Sequence, residues 1–251
     1  MIVQPKPAGL PEVAVIIPAL NEAQSLQALL PLLDSMALGQ VLVCDNGSTD
    51  ETRVVVEAHG ADWVYQPRRG YGAACYEGLL HLDPEVRIVV FLDADLSDDA
   101  TLLPRLVEPI AMGEFDFVIG ARGPRLRQRG SMTLAQRFAN RLFPALIRIG
   151  WGHVYTDLGP FRAIRRDALE AMGMRDRAFG WTIEMQIRAV EMGLRIFEMP
   201  VPYRKRNGHS KISGTIRGTL LAAYWISRTC AAMWLTKRRR LSGRRVTVAK
   251  G

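Results

Sequence analysis

Val13-Ala14-Val15-Ile16-Ile17, closed by Pro18, is an apolar run with no polar alternation. Such a run must be covered on both faces, so it reads as a central strand of a parallel sheet. The pattern recurs at Val41-Leu42-Val43-Cys44, at Trp63-Val64-Tyr65 and at Ile88-Val89-Val90-Phe91-Leu92, with helical stretches between. Asn21 is placed to cap a helix through Leu33, and Ser48 with Glu51 carries a capping-box signature for the next one. Strands alternating with helices imply right-handed crossovers and a mainly parallel α/β sheet. Ligands of such sheets sit at the carboxyl ends of the strands. Pro18, Asp45 and Asp93 all fall there, which predicts three loops converging on one crevice. After Phe117-Val118-Ile119 the regular alternation stops, and an Arg-rich segment runs from Arg122 to Arg141.

The 251 residues, 48% hydrophobic and 23% charged, suit one sizeable core. The net charge of +8 suggests an anionic partner, but the excess is local. No acidic residue follows Glu198, and 13 of the 33 Lys and Arg lie from Val201 onward. Cys44, Cys75 and Cys230 lack the spacing of a zinc site or disulfide framework, which points to a reducing cytosol. Residues 1–11 do not read as a signal peptide. The expected location is therefore cytoplasmic.

Asp93-Ala94-Asp95 sets two carboxylates just past a buried strand. Mg²⁺ or Mn²⁺ takes few carboxylates and completes its shell with phosphate and water oxygens, so the pair suits a nucleoside diphosphate sugar. Taken alone, it equally fits a polar loop with a helix cap. Asp45 is a candidate acceptor for a base imide or amide, and Asn21 and Glu22 lie in the neighbouring loop, where capping is the competing role for Asn21. Gly70-Tyr71-Gly72-Ala73-Ala74-Cys75 superficially resembles a dinucleotide fingerprint, but it sits in the third unit rather than the first. Its small residues, Gly72 among them, let a helix start approach a ligand or the sheet, with Arg69 available to a phosphate. Arg204-Lys205-Arg206 with Gly208, Ser210 and Lys211 forms a basic loop suited to a diphosphate, or else a solvated turn.

On a helix, Arg217, Arg228 and Arg239 fall about 20° apart on one stripe, with Trp225, Ile226, Met233 and Trp234 off it. The central Arg makes this a poor membrane span. It fits either an in-plane membrane helix or a helix packed on the domain or a second subunit. A polar, unstructured tail is expected beyond Lys237-Arg238-Arg239-Arg240.

Val15-Ile16-Ile17-Pro18-Ala19-Leu20-Asn21-Glu22, Asp45-Asn46-Gly47-Ser48-Thr49-Asp50 and Phe91-Leu92-Asp93-Ala94-Asp95, in this order, resemble the motifs of family 2 glycosyltransferases of the GT-A fold. Arg69-Gly70-Tyr71-Gly72-Ala73-Ala74, Asp157-Leu158-Gly159-Pro160-Phe161-Arg162 and Arg206-Asn207-Gly208-His209-Ser210-Lys211 are similar to the dolichyl-phosphate mannosyltransferase branch and its bacterial polyprenyl-phosphate relatives. The resemblance covers roughly residues 13 to 213. It implies a GT-A, Rossmann-like sheet in a catalytic domain over 1–214, with an amphipathic basic helix and tail over 215–251. By the same resemblance Pro18, Glu22 and Asp45 hold the nucleoside, Asp93 and Asp95 the metal and diphosphate, and Arg206 and Lys211 the donor phosphates. Arg122 and Arg137 become candidates for an acceptor phosphate. The chain departs from the branch at Ser97, where a metal-binding Gln is common, and at Pro160, which interrupts a Ser-Gly-Phe pattern.

Members acting on sugar hydroxyls carry a late Gln-x-x-Arg-Trp motif, absent near Phe179-Gly180-Trp181. A phosphate oxygen is already anionic and needs no base. The expectation is inverting transfer of a hexose from a UDP- or GDP-sugar to a polyprenyl phosphate, on the inner face of the membrane. In the alternative, a hydroxyl acceptor, Asp157 or Glu184 would serve as base. A sugar-phosphate nucleotidylyltransferase lacks its Gly-rich loop here, and no aromatic-interleaved basic surface suggests nucleic acid. The sequence leaves a homo-oligomer open.

Overall fold

The computed structural model describes residues 9–206 and 216–248; Lys211 lies outside the described residues. Seven strands form one sheet: β1 (Leu10–Ala19), β2 (Leu38–Asp45), β3 (Asp62–Tyr65), β4 (Ile88–Phe91), β5 (Phe117–Ala121), β6 (Arg162–Arg165) and β7 (Ile196–Pro200). Their order is β3-β2-β1-β4-β6-β5-β7. Every pairing is parallel except those of β6, which runs against both β4 and β5. The helices are α1 (Ala23–Asp34), α2 (Thr52–Ala58), α3 (Tyr71–Leu80), α4 (Leu103–Ala111), α5 (Leu134–Trp151), α6 (Arg166–Met172), α7 (Trp181–Glu191) and α8 (Ile216–Val248).

The sheet is covered on both faces, which is why its central strands read as unbroken apolar runs. Val13, Val15 and Ile17 of β1 join Leu26, Leu29 and Leu33 of α1 and Leu106 and Ile110 of α4 in one core. Ala14 and Ile16 point the other way, into a core with Ala74 and Cys75 of α3, Phe143 and Ile147 of α5, and Trp181 and Ile187 of α7. Each large side chain so buried stabilises the fold by roughly 1.5–3 kcal/mol. The mainly parallel α/β architecture expected from the sequence is the one observed.

Local expectations fare differently. Asn21 does not cap α1: its φ of 53° is left-handed, whereas a capping residue is extended, and Glu22 occupies the boundary. Ser48 and Glu51 form no capping box, because α2 starts one residue after Glu51 and that boundary has no side-chain cap. Asp50 serves there instead, accepting from the Thr52 N–H at 3.1 Å. At the C-terminus, α8 continues through the basic run to Val248, where a polar tail was expected. Lys237-Arg238-Arg239-Arg240-Leu241 is a run of good helix formers and carries the helix past the end of the apolar pattern. The helix also packs on the domain: Thr229 and Cys230 are buried, and Ile226 and Met233 lie against the core.

Candidate active site

The loops after β1, β2 and β3 meet at the carboxyl edge of the sheet because polar side chains stitch them together, and the loop after β4 lines the same crevice. Asn21 donates its N–H to Ser48 Oγ at 2.8 Å, and its Oδ1 accepts from the Thr49 N–H at 2.6 Å. Asn46 donates through Nδ2 to the carbonyls of Gln66 and Arg68, and its Oδ1 accepts from the Gly70 N–H at 2.7 Å. Asp45 accepts from the N–H groups of Gly47 and Ser48 and from Trp63 Nε1. Asn21 and Ser48, which the sequence offered as caps, thus hold the loops after β1 and β2 in register, and Asn46 ties in the loop after β3.

The loops enclose a crevice of about 210 Å³ lined by Pro18, Glu22, Asn46, Arg69, Asp93 and Asp95, among others. Asp45 lies behind this lining, 4% exposed, shaping the loop that carries Asn46. Gly72 departs from expectation. A Cβ there would come within 2.6 Å of the Asp176 carbonyl, so the helix start is small in order to meet the 176–178 loop, and Gly72 is not part of the crevice wall. Gly70, at φ 144°, makes the same approach to the Arg177 carbonyl.

Asp95 Oδ1 accepts from the Ser97 N–H at 2.9 Å, and Oδ2 accepts from the Arg206 guanidinium. Asp93 Oδ1 is buried with no hydrogen-bond partner among the described residues. Burial, and then the neighbouring Asp95 charge, push Asp93 up to about 7. Two crowded carboxylates with an unsatisfied buried oxygen fit a hard divalent cation. No group of three or more His, Cys, Asp or Glu suited to a metal occurs among the described residues, so a diphosphate and water would complete any shell. Ser97, at the position of the branch's Gln, has a buried Oγ with no hydrogen-bond partner among the described residues.

A second cavity, about 480 Å³, adjoins the first. Tyr71, Asp93, Asp95, Phe179 and Arg206 line both, so the acidic pair stands in a shared wall. Arg122 lines the larger cavity, where it is spent on Asp157: its Nε donates at 2.6 Å, NH2 at 3.0 Å and its backbone N–H at 3.0 Å. Asn140 Nδ2 adds a fourth bond to Asp157 at 2.6 Å. Burial works against the Asp157 charge, but Arg122 overcomes it and holds the carboxyl below its ordinary value. Asp157 is therefore a poor base. Glu184 lies elsewhere, accepting from the Arg175 and Asp176 N–H groups and pairing with Arg188. Arg137 is exposed on α5 and outside the cavity lining, because its helix turns that side outward.

Tyr71, Phe179 and Tyr203 went unread in the sequence. Tyr71 stands beside Asp93 in the shared wall, and the Arg122 guanidinium sits 4.8 Å from the Tyr203 ring. The only early signal was Tyr71, inside the small-residue helix start; the other two reach the site by tertiary folding.

A helix-flanked, mostly parallel sheet with paired carboxylates beyond a central strand defines a glycosyltransferase of the GT-A type. The likeness extends to a solved structure of glucosyl-3-phosphoglycerate synthase from Mycobacterium tuberculosis in complex with Mg²⁺ and uridine diphosphate, with a TM-score of 0.68 and 25% identity over 87% of this chain and 79% of that one. The chain belongs to glycosyl transferase family 2, whose model matches residues 14–173. It is 37% identical to an uncharacterized glycosyltransferase of Mycobacterium tuberculosis over 84% of this chain and 94% of the relative. It is 32% identical to the undecaprenyl-phosphate mannosyltransferase of Micrococcus luteus, over 82% of this chain and 89% of that enzyme.

Proposed function

We propose that the chain transfers a hexose, with inversion, from a UDP- or GDP-sugar to a polyprenyl phosphate. The observation that carries the reading is the shared wall: Asp93 and Asp95 stand between a small crevice suited to a nucleoside and a larger cavity suited to an acceptor. Pro18, Asn21, Glu22, Asp45 and Arg69 hold or shape the nucleoside side. Asp93 and Asp95 would hold Mg²⁺ or Mn²⁺, which neutralises the leaving diphosphate when bound. Arg206, with Lys211, adds positive charge to the same phosphates.

On the acceptor side, Lys205 lines the cavity and supplies positive charge, while the charge of Arg122 is held by Asp157. Among the described lining residues the only carboxylates are Asp93 and Asp95, which the proposed metal would occupy, and Asp157 is neutralised by Arg122 and lies outside the lining, so no base is left free. An acceptor that is already an anion meets that condition, since its oxygen attacks the anomeric carbon with no proton to remove. The similarity to an undecaprenyl-phosphate mannosyltransferase supports the same choice. No described helix is long and apolar enough to cross a membrane. We place the enzyme on the inner, cytoplasmic face as a peripheral protein, with α8 toward the lipid and with self-association left to measurement.

A second reading, transfer to a hydroxyl of a soluble phosphorylated metabolite, draws on the structural likeness to glucosyl-3-phosphoglycerate synthase. Radiolabelled nucleotide sugars supplied with polyprenyl phosphate and with phosphoglycerate separate the two. Label extracted into organic solvent is the expected result. Label confined to the aqueous product would replace the first reading with the second.

A further inference from the structure

The surface beside the larger cavity combines apolar exposure with a one-signed charge. On α5, Leu134, Phe138, Leu142, Leu146 and Ile149 are exposed, and Leu134 and Ile149 are about four-fifths so. At 100° per residue these five fall within an arc of about 120°. Phe143 and Ile147, on the opposite side, are buried. Arg137, Arg141 and Arg148 form a row along one border of the apolar arc, and all three are exposed. The helix is firmly set despite this exposure. Thr133 and Gln136 close a capping box at its start, and Gly152 ends it in a left-handed turn.

Helix α8 packs beside α5 and adds exposed apolar residues of its own. Lys237 Nζ donates to the Gly150 carbonyl at 2.7 Å, which holds the two helices together, and Leu221, Tyr224 and Leu235 are exposed on α8. Charge is segregated in the same way. Residues 117–156 hold seven Arg and no acidic residue, and residues 199–251 hold 13 Lys or Arg and none either. All 25 acidic residues therefore belong to the rest of the chain, which has 13 basic ones. Ser131, Thr133 and Gln136 at the head of α5, and Ala222 and Ile226 of α8, line the larger cavity. Its rim is thus part of this face.

We infer that the α5–α8 face docks on an anionic lipid bilayer, with the α5 stripe inserted among the acyl chains and its arginine row at the headgroups. A second copy of the chain is the competing occupant, but two copies of α5 and α8, helices that carry no acidic residue of their own, would repel one another. Anionic lipid supplies both what the stripe and what the row require. The inference deepens the lipid-acceptor reading and rests on it for the meaning of the cavity's position. The docking itself is independent of the acceptor: a bilayer lacking polyprenyl phosphate suffices.

The test is co-sedimentation of the full chain with phosphatidylglycerol/phosphatidylcholine vesicles and with pure phosphatidylcholine vesicles. The wild type is expected to pellet with the anionic vesicles and to be released by high salt. The double variant Phe138→Ser/Ile149→Ser should lose at least ten-fold in partitioning, and Arg141→Glu/Arg148→Glu should lose the preference for anionic lipid. Thermal shift with UDP and GDP should be unchanged in both, which verifies folding. Wild-type protein left in the supernatant, or variants that pellet like wild type, would overturn the docking. So would sedimentation velocity showing a wild-type dimer that the variants split, since the face would then be a subunit interface. Transfer to a short, water-soluble prenyl phosphate in the absence of vesicles keeps the acceptor reading standing even if docking fails. Vesicle binding without any lipid labelling does the reverse.

Discussion

The two sides of the site are held by different forces. Around the small crevice, Asn21, Ser48 and Asn46 tie loop to loop mainly through amide and hydroxyl groups bonded to backbone, and the carboxylates of Asp45 and Asp50 accept from backbone N–H groups beside them. Around the larger cavity the ties are ionic, Arg122 to Asp157 and Arg206 to Asp95, and at the far ends of the strands behind it Asp116 pairs with both Arg165 and Arg195. Neutral stitching is indifferent to pH and salt over the working range, whereas ion pairs respond to both. The nucleotide side should therefore be the constant half of the molecule and the acceptor side the conditional one.

The largest expected effect falls where the halves touch. Asp95→Asn should lower hexose transfer on the order of 10²–10³-fold, and chelation of divalent metal should do at least as much, with activity restored by Mg²⁺ or Mn²⁺. Nearly full activity in either case would remove the shared wall from the chemistry. Asp157→Asn comes next. It leaves the Arg122 guanidinium buried without its charge partner, so a loss of about 3 kcal/mol is expected in denaturant titrations, with UDP or GDP binding retained at low temperature. A fall in kcat with unchanged stability would instead make Asp157 a base.

On the other side, Asn46→Ala removes three hydrogen bonds to backbone and should cost roughly 1–3 kcal/mol, equally at pH 5 and pH 8. A marked pH dependence of that cost would break the contrast. The smallest effect sharpens it. Hydrogen bonding from Arg195, aided by the nearby Arg165, holds Asp116 down at about 2, below its unfolded value near 3.8. Stability from this group is complete above about pH 4 and is lost as pH falls through about 2. Asp116→Asn should remove roughly 1–2 kcal/mol at neutral pH, allowing for solvent around the exposed arginines, and should flatten the acid limb. An unchanged limb between pH 4 and 2 would place acid sensitivity elsewhere.

The same division explains what could be read from the sequence. β1, β2, β3 and β4 announce themselves, because two-sided burial leaves unbroken apolar runs, and the Asp93-Ala94-Asp95 pair follows directly from the end of one of them. Pro18 and Glu22 were placed by the same logic, one loop from each strand end. The larger cavity was not legible. Arg122 and Asp157 lie 35 residues apart, and Arg206 and Asp95 lie 111 apart, so no local pattern records either pairing. Asn21 and Ser48 misled for a related reason: an amide or hydroxyl near a helix start satisfies the nearest unbonded N–H, and here that group belongs to another loop. Periodicity assigned the Arg-rich stretch no role, because exposure of the α5 stripe shows only once its opposite face is buried.

The reversal of β6 carries a last consequence. Because β6 alone runs against its neighbours, the segment that enters it, 152–161, arrives at the edge where β4 and β5 finish. On the proposed reading, nucleotide choice and acceptor choice are thereby written on separate stretches of peptide that share one rim. A lineage could then rewrite 152–161 and the head of α5, changing what receives the sugar, while the motifs proposed to grip the donor go on untouched.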